Sequence, residues 1–212
     1  ELVYQSMVHD GVTVLCCGKE MKVDRTADGR RLSLDSHGQR HDITVDEVLV
    51  GAGRQPNVEE LGLEAVGVDY DKTGIKVNNR LQTKNPRIYA AGDVCSRYKF
   101  THAADAMAQI VIQNALFPHP FGLAYANVDD LIMPWCTFTD PEIAHVGLYE
   151  AEAKKKGVEV ETHTYPLREV DRAVLDGDTI GFARLHIRKG SDKIVGATIA
   201  AARAGDLISE LS

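Results

Sequence analysis

Asp93 is the side chain whose neighbours say most about chemistry. It stands just beyond Arg87–Ala91 (RIYAA), a short run carrying Ile and Tyr after Pro86, which suits a buried strand. Gly92 lets the backbone turn there and come close to whatever sits above the strand end. In open α/β sheets, ligands bind at the carboxyl ends of strands. A loop over Cys95–Phe100 then leads to Thr101, a good helix N-cap. Beyond it, apolar residues recur at helical spacing from Ala103 to Phe117. One set is Ala103, Met107, Ile110 and Val111; the other is Ala104, Ala108, Ile112 and Ala115. Asp105 is expected in the first turn, where the macrodipole favours an acid. One carboxylate and one helix N-terminus thus converge. The carboxylate can accept hydrogen bonds from ligand hydroxyls, and the helix end can hold partial negative charge.

The other reactive side chains are less organised. Of the four cysteines, Cys16, Cys17, Cys95 and Cys136, no two form a Cys-x-x-Cys pair, and their spread does not suggest a disulfide framework. Adjacent Cys16 and Cys17 can in principle bind a soft metal. In a stretch reading GVTVLCC, strand packing is the favoured reading, and no metal site is assigned. No histidine is spaced with a cysteine as a metal-ligand cluster. His102 opens the helix and would either approach a ligand or partner subunit, or simply pack and meet water. Glu142, after Pro141, reads as a cap or interface contact, not as an acid or base.

These residues need elements to position them. A length of 212 residues allows one or two domains with a sizeable core. The formal net charge of −7 argues against a nucleic-acid or anionic-membrane partner. No apolar run approaches a membrane span. The chain begins at Glu1, so the lack of a visible signal peptide establishes little. A reducing, cytoplasmic setting is the default from cysteine usage.

In chain order, residues 1–50 read as strands. Val12–Cys17 is β-rich. Thr26–Gly29 and Ser36–Gln39 are turn signals around an alternating Arg31–Asp35, and Val48–Val50 reads as a strand buried on both faces. Gly51 and Gly53 follow, but Pro56 blocks the helix that a dinucleotide-binding glycine turn requires. A strand is expected at Ile75–Val77. Residues 118–130, with Pro118, Pro120 and Gly122, read as a linker. Tyr149–Lys156 reads as a helix, with Glu150 and Glu152 leading, lysines following and Gly157 to close it. Ile180–Arg188 and Lys193–Ala200 are two strands joined by a turn, and Ala204–Leu211 begins another helix.

Three strings together resemble the flavoprotein pyridine nucleotide-disulfide oxidoreductases, in the mercuric reductase and dihydrolipoamide dehydrogenase branch. Thr83 with Ile88–Tyr89 and Ala90-Ala91-Gly92-Asp93 resembles their second flavin-binding motif. Gly53-Arg54-x-Pro56-Asn57 resembles the segment returning from the nicotinamide domain to the flavin domain. Met133–Gly147 (MPWCTFTDPEIAHVG) resembles the opening of their interface domain. The resemblance implies α/β followed by α+β architecture: a two-dinucleotide-domain, Rossmann-like region, then an antiparallel sheet with helices that forms a dimerisation domain. The implied divisions are 1–48 as the end of the NAD(P)-binding domain, 49–117 as the end of the FAD-binding domain, 118–130 as linker and 131–212 as dimerisation domain.

By the same resemblance the cofactor is FAD, NAD(P)H is the co-substrate, and the protein is a homodimer through its C-terminal domain. Asp93 would hold the ribityl chain and Thr101–Ala103 would face the flavin ring edge, so the implied cofactor residues are Gly53, Arg54, Gly92, Asp93, Thr101, His102 and Ala103. No catalytic residue is implied within these 212 residues. The first flavin fingerprint, the redox cysteines and the nicotinamide fingerprint are expected upstream, so the chain reads as a central-to-C-terminal portion that is inactive alone. Mercury-handling members carry a vicinal cysteine pair at the extreme C-terminus. Cys16 and Cys17 lie near the start, and that role does not transfer. Two alternatives are a non-catalytic dimerisation module and a flavin reductase or peroxidase without disulfide chemistry.

Overall fold

The computed structural model describes all 212 residues. They cluster into two compact units, Glu1–Gly53 and Arg54–Ser212.

The first unit opens with a helix, α1 (Leu2–His9), where the sequence suggests strands. An antiparallel meander follows: β1 (Lys19–Thr26), β2 (Gly29–Ser36) and β3 (Gln39–Val45). Both turn signals hold, with Thr26 opposite Gly29 and Ser36 opposite Gln39. The central strand buries Leu34, Ser33 and Ser36, while its neighbours stay largely exposed. Two expected strands are absent. Val12–Cys17 has no regular structure, nor has Val48–Val50, where Leu49 is 98% exposed. A strand apolar on both faces needs neighbours on both edges, and no strand of the chain pairs with this one.

In the second unit, β4 (Tyr70–Asp71) and β5 (Gly74–Ile75) form a minimal hairpin, so the strand expected at 75–77 reaches only Ile75. Arg87–Ala91 is likewise not a strand. Tyr89 makes an isolated bridge to Gln82, and Ala90 N–H donates to the Leu81 carbonyl. Its apolar residues still pack: Ala90 joins Leu63, Val68 and Ile75 in a small core. Helix α2 (Thr101–Leu116) buries Ala103, Met107, Ile110 and Asn114, one stripe at spacings of four, three and four. The second expected stripe fades, with Ile112 and Ala115 exposed. Residues 118–130 hold two single helical turns. They are tied to α2 by Asn114, which donates to and accepts from the backbone of Ala126, each at 2.9 Å.

The remainder is a five-stranded antiparallel sheet of order β6-β7-β10-β9-β8. Its strands are β6 (Trp135–Thr137), β7 (Glu142–Gly147), β8 (Val160–Pro166), β9 (Phe182–Arg188) and β10 (Ile194–Ala201). The central β10 is the most buried strand, and Ala197, Ile199 and Ala201 pack with Ala144, Val146, Ala204 and Ile208. Helices α3 (Glu150–Lys155), α4 (Asp171–Asp176) and α5 (Ala204–Leu207) complete the unit.

Candidate functional site

Gly92 is fixed by two constraints. Its φ is 76°, and a Cβ there would lie 2.9 Å from the Ala104 Cβ on α2. The turn thus presses the backbone against the helix, and the next residue, Asp93, begins beside the helix start. Residues 92–94 form a single 3-10 turn. The Asp93 carboxylate is 44% exposed, and its one side-chain partner is Arg54 at 3.4 Å. A surface pair of that length contributes about 0–1 kcal/mol, so the carboxylate keeps most of its acceptor capacity. Lys99 closes the loop from below: its Nζ donates to the Asp93 carbonyl at 2.8 Å and to that of Ser96 at 3.3 Å.

Helix α2 starts one residue earlier than expected. Phe100 is the N-cap and no side chain caps it, so Thr101 is the first helical residue and not the cap. Asp105 consequently falls outside the first turn, where it accepts from Gln109 at 2.9 Å. The first backbone bond of the helix runs from Ala104 N–H to the Phe100 carbonyl, which leaves the amides of Thr101, His102 and Ala103 without an acceptor. Three orphan donors at a helix N-terminus favour an anionic or electron-rich group.

This helix end opens on a cavity of about 650 Å³. Arg54, Lys99, Phe100, Thr101 and His102 form one wall; Pro134, Trp135, Cys136, Phe138 and the segment from Gly205 to Ser212 contribute the other. Sequence reasoning misses the far wall. Its residues lie more than 30 positions from the helix start, and only packing brings them near. His102 joins the two walls: it stacks on Phe100, and its Nε2 bonds the Pro134 carbonyl at 2.7 Å. Ala103 is fully buried in the helix packing, so only its amide is available. Gly53 has a φ of 104°, and a Cβ placed there would meet nothing within 4 Å, so only its backbone conformation requires glycine.

Neither thiol of this unit is activated. Burial pushes Cys95 up to about 11, opposed only weakly by Lys99. Burial, then the Glu142 carboxylate, pushes Cys136 up as well. Both are protonated near neutral pH and are poor nucleophiles. Glu142 is a cap: its Oε2 accepts from Gly205 N–H at 2.9 Å in the first turn of α5.

Residues 1–108 match the family described as pyridine nucleotide-disulphide oxidoreductase. Residues 133–212 match its dimerisation domain. The chain belongs to the pyridine nucleotide-disulphide oxidoreductase family. A mercuric reductase of Staphylococcus aureus is 39% identical over 209 residues, covering 98% of this chain and 37% of that protein. A dihydrolipoyl dehydrogenase of Bacillus subtilis is 36% identical over 191 residues, covering 90% of this chain and 39% of that protein. Among solved structures, LpdA from Mycobacterium tuberculosis superposes with a TM-score of 0.83 at 25% identity, covering 98% of this chain and 44% of that one. RclA from Escherichia coli, a flavoprotein disulfide reductase, shares the fold with a TM-score of 0.81 at 23% identity. The chain therefore spans less than half the length of these relatives. The family is an FAD- and NAD(P)H-dependent class of oxidoreductases, and the fold is its Rossmann-like and dimerisation architecture.

Proposed function

We propose that these residues supply the flavin-facing segment and the dimerisation domain of an FAD-dependent NAD(P)H oxidoreductase acting on a disulfide or on a metal ion such as Hg(II). The observation that carries this reading is the meeting of Gly92-Asp93 with the uncapped start of α2. The residues fit the cofactor. Asp93 offers free acceptor positions to ribityl hydroxyls, and Arg54 steadies its carboxylate. The amides of Thr101, His102 and Ala103 are oriented donors with no internal acceptor, suited to the electron-rich ring edge. When bound, FAD supplies the redox chemistry, accepting hydride from NAD(P)H and passing electrons on. This chain's part is to bind, orient and stabilise charge. Its thiols near the site are protonated and half-buried, and transfer nothing.

The dimerisation domain, residues 131–212, is proposed to pair with a second copy. Phe138, Leu175 and Ile180 leave large apolar area in water there, 81%, 79% and 67% exposed. Flavin absorbance in the complete protein, together with NAD(P)H-dependent reduction of that flavin, tests the reading. A complete protein purified without flavin, and unable to bind added FAD, would overturn it.

A further inference from the structure

The expected strand at Val12–Cys17 would send the side chains of Cys16 and Cys17 to opposite faces, as successive residues of a strand point. The structure does otherwise. Cys17 has a φ of 57°, in the left-handed region, and this breaks the alternation. Both sulfurs then lie on one side of the chain, and His37 meets them from the turn between β2 and β3. Its φ is 53°, also left-handed. The Cys16 and Cys17 sulfurs and one His37 ring nitrogen all lie within 4.8 Å of one another, and Cys16 Sγ is 3.0 Å from His37 Nε2.

The two segments are fastened together by groups outside the cluster. Ser36 Oγ, buried, donates to the Cys16 carbonyl at 2.8 Å. Gly38 N–H donates to Asp35 Oδ1 at 2.9 Å and closes the turn that carries His37. All three cluster residues are exposed, so an ion has an open path to them.

From this geometry we propose that Cys16, Cys17 and His37 form a binding site for a thiophilic d10 cation, with Zn(II) as its probe. Zinc takes thiolate sulfur at about 2.3 Å and imidazole nitrogen at about 2.0–2.1 Å, so the ligand atoms of one tetrahedral ion lie about 3.5–3.8 Å apart. The observed spacing needs only small side-chain rotations. Two thiolates and one imidazole are a soft set that excludes Mg(II) and Ca(II) and leaves a fourth position for water or an exogenous ligand. On binding, the Cys16 and Cys17 thiols each release one proton to solvent, the neutral His37 gives its Nε2 lone pair, and no electron is transferred. His41, four residues beyond His37, lies in β3 and is not a member of the cluster. The site shares no residue with the proposed flavin contacts and does not depend on that reading.

The test is a titration of the chain, reduced and stripped of metal, with Co(II) and then Zn(II). One Co(II) per chain should bind with thiolate-to-cobalt charge-transfer absorption and tetrahedral ligand-field bands, and Zn(II) should abolish both. Cys16→Ser, Cys17→Ser and His37→Gln should each weaken Zn(II) binding by about tenfold or more. Cys95→Ser and Cys136→Ser should leave it unchanged. Since all three ligands are exposed, circular dichroism should show the meander intact in every variant, and Cys16→Ala provides a second variant should the serine disturb it. Absence of charge-transfer absorption in the unaltered chain would overturn the site, as would undiminished metal affinity in any of the three ligand variants.

Discussion

At the scale of single residues, glycine at position 92 does two jobs that no other residue does. Replacing it with alanine forces a left-handed φ on a residue with a Cβ and drives that Cβ to 2.9 Å from Ala104. The expected loss for Gly92→Ala is about 1–3 kcal/mol, read as a lower urea midpoint. Gly67→Ala carries a comparable φ of 71° with open space around it, and should cost less. The Gly92-Asp93 pair is legible in the sequence because a turn and its contact with the following helix are local events. The cluster of Cys16, Cys17 and His37 is not. It depends on two left-handed residues, Cys17 and, in a turn 20 positions away, His37, and alternation in a β-rich string argues for the opposite placement. Thiol reactivity follows the same divide. Exposed Cys16 should be alkylated far faster at neutral pH than Cys95, which burial raises to about 11. Cys17 should fall between them, being exposed but pushed up by its hydrogen bond with Cys16. Mass spectrometry of briefly labelled protein distinguishes the sites, and equal labelling of Cys16 and Cys95 would contradict the assignment.

At the scale of elements, capping decides where helices begin, and the cap of α2 is Phe100 and not Thr101, where sequence places it. At the start of α3, Glu152 Oε2 accepts the Tyr149 N–H at 3.2 Å, half of a capping box. Glu152 is therefore engaged with the backbone, and neither it nor Glu150 forms an i,i+4 ion pair with Lys156 or Lys154. Glu142 reaches α5 from across the sheet, so Glu142→Ala should cost about 0.5–2 kcal/mol, and Glu142→Gln, which keeps an acceptor, should cost less. The β9–β10 hairpin is legible because its turn and its alternation are adjacent in sequence. The strands expected at 48–50 and 87–91 do not form because a parallel strand exists only with its neighbours.

The same sheet carries two buried histidines. His145 is stacked on Tyr149 at 3.6 Å; its Nε2–H donates to the Gly147 carbonyl at 3.1 Å, and its Nδ1 accepts from the Thr198 hydroxyl at 2.8 Å. His186 meets Thr162 at 2.9 Å. Burial holds both below the usual histidine value of 6.5, against the opposing pull of Glu152 on His145 and of Glu150 on His186, while Arg184 reinforces the shift at His186. The unfolded chain therefore binds more protons than the folded one below pH 6.5. Stability should be level above that pH and fall steadily as pH drops from it. Melting temperatures between pH 8 and pH 5 check this, and a stability that rises on acidification would contradict it.

At the scale of the whole molecule, the chain gives one side of the proposed cofactor site and a sheet domain that buries its own core. It has no Gly-x-Gly-x-x-Gly turn to hold a pyrophosphate, and one carboxylate with one helix end does not offset the several kcal/mol needed to fix a large flexible cofactor. The 212 residues purified by themselves should be colourless and should not oxidise NAD(P)H; a yellow preparation with stoichiometric FAD would contradict this. The family is legible because its motifs are short and ordered along the chain, whereas the cavity wall from Pro134 to Ser212 is not, since it forms only when the sheet domain packs near α2. Asp93 is proposed to hold the flavin, and FAD affinity in the complete protein with and without Asp93→Ala tests this. Arg54 is 73% exposed, so losing its partner should barely affect the fold. Each hydrogen bond lost to the carboxylate is worth about 1.5–3 kcal/mol, so the variant should bind FAD about ten- to a hundredfold more weakly per bond, with an unchanged apoprotein melting temperature. Equal FAD affinity in the two proteins would contradict the account.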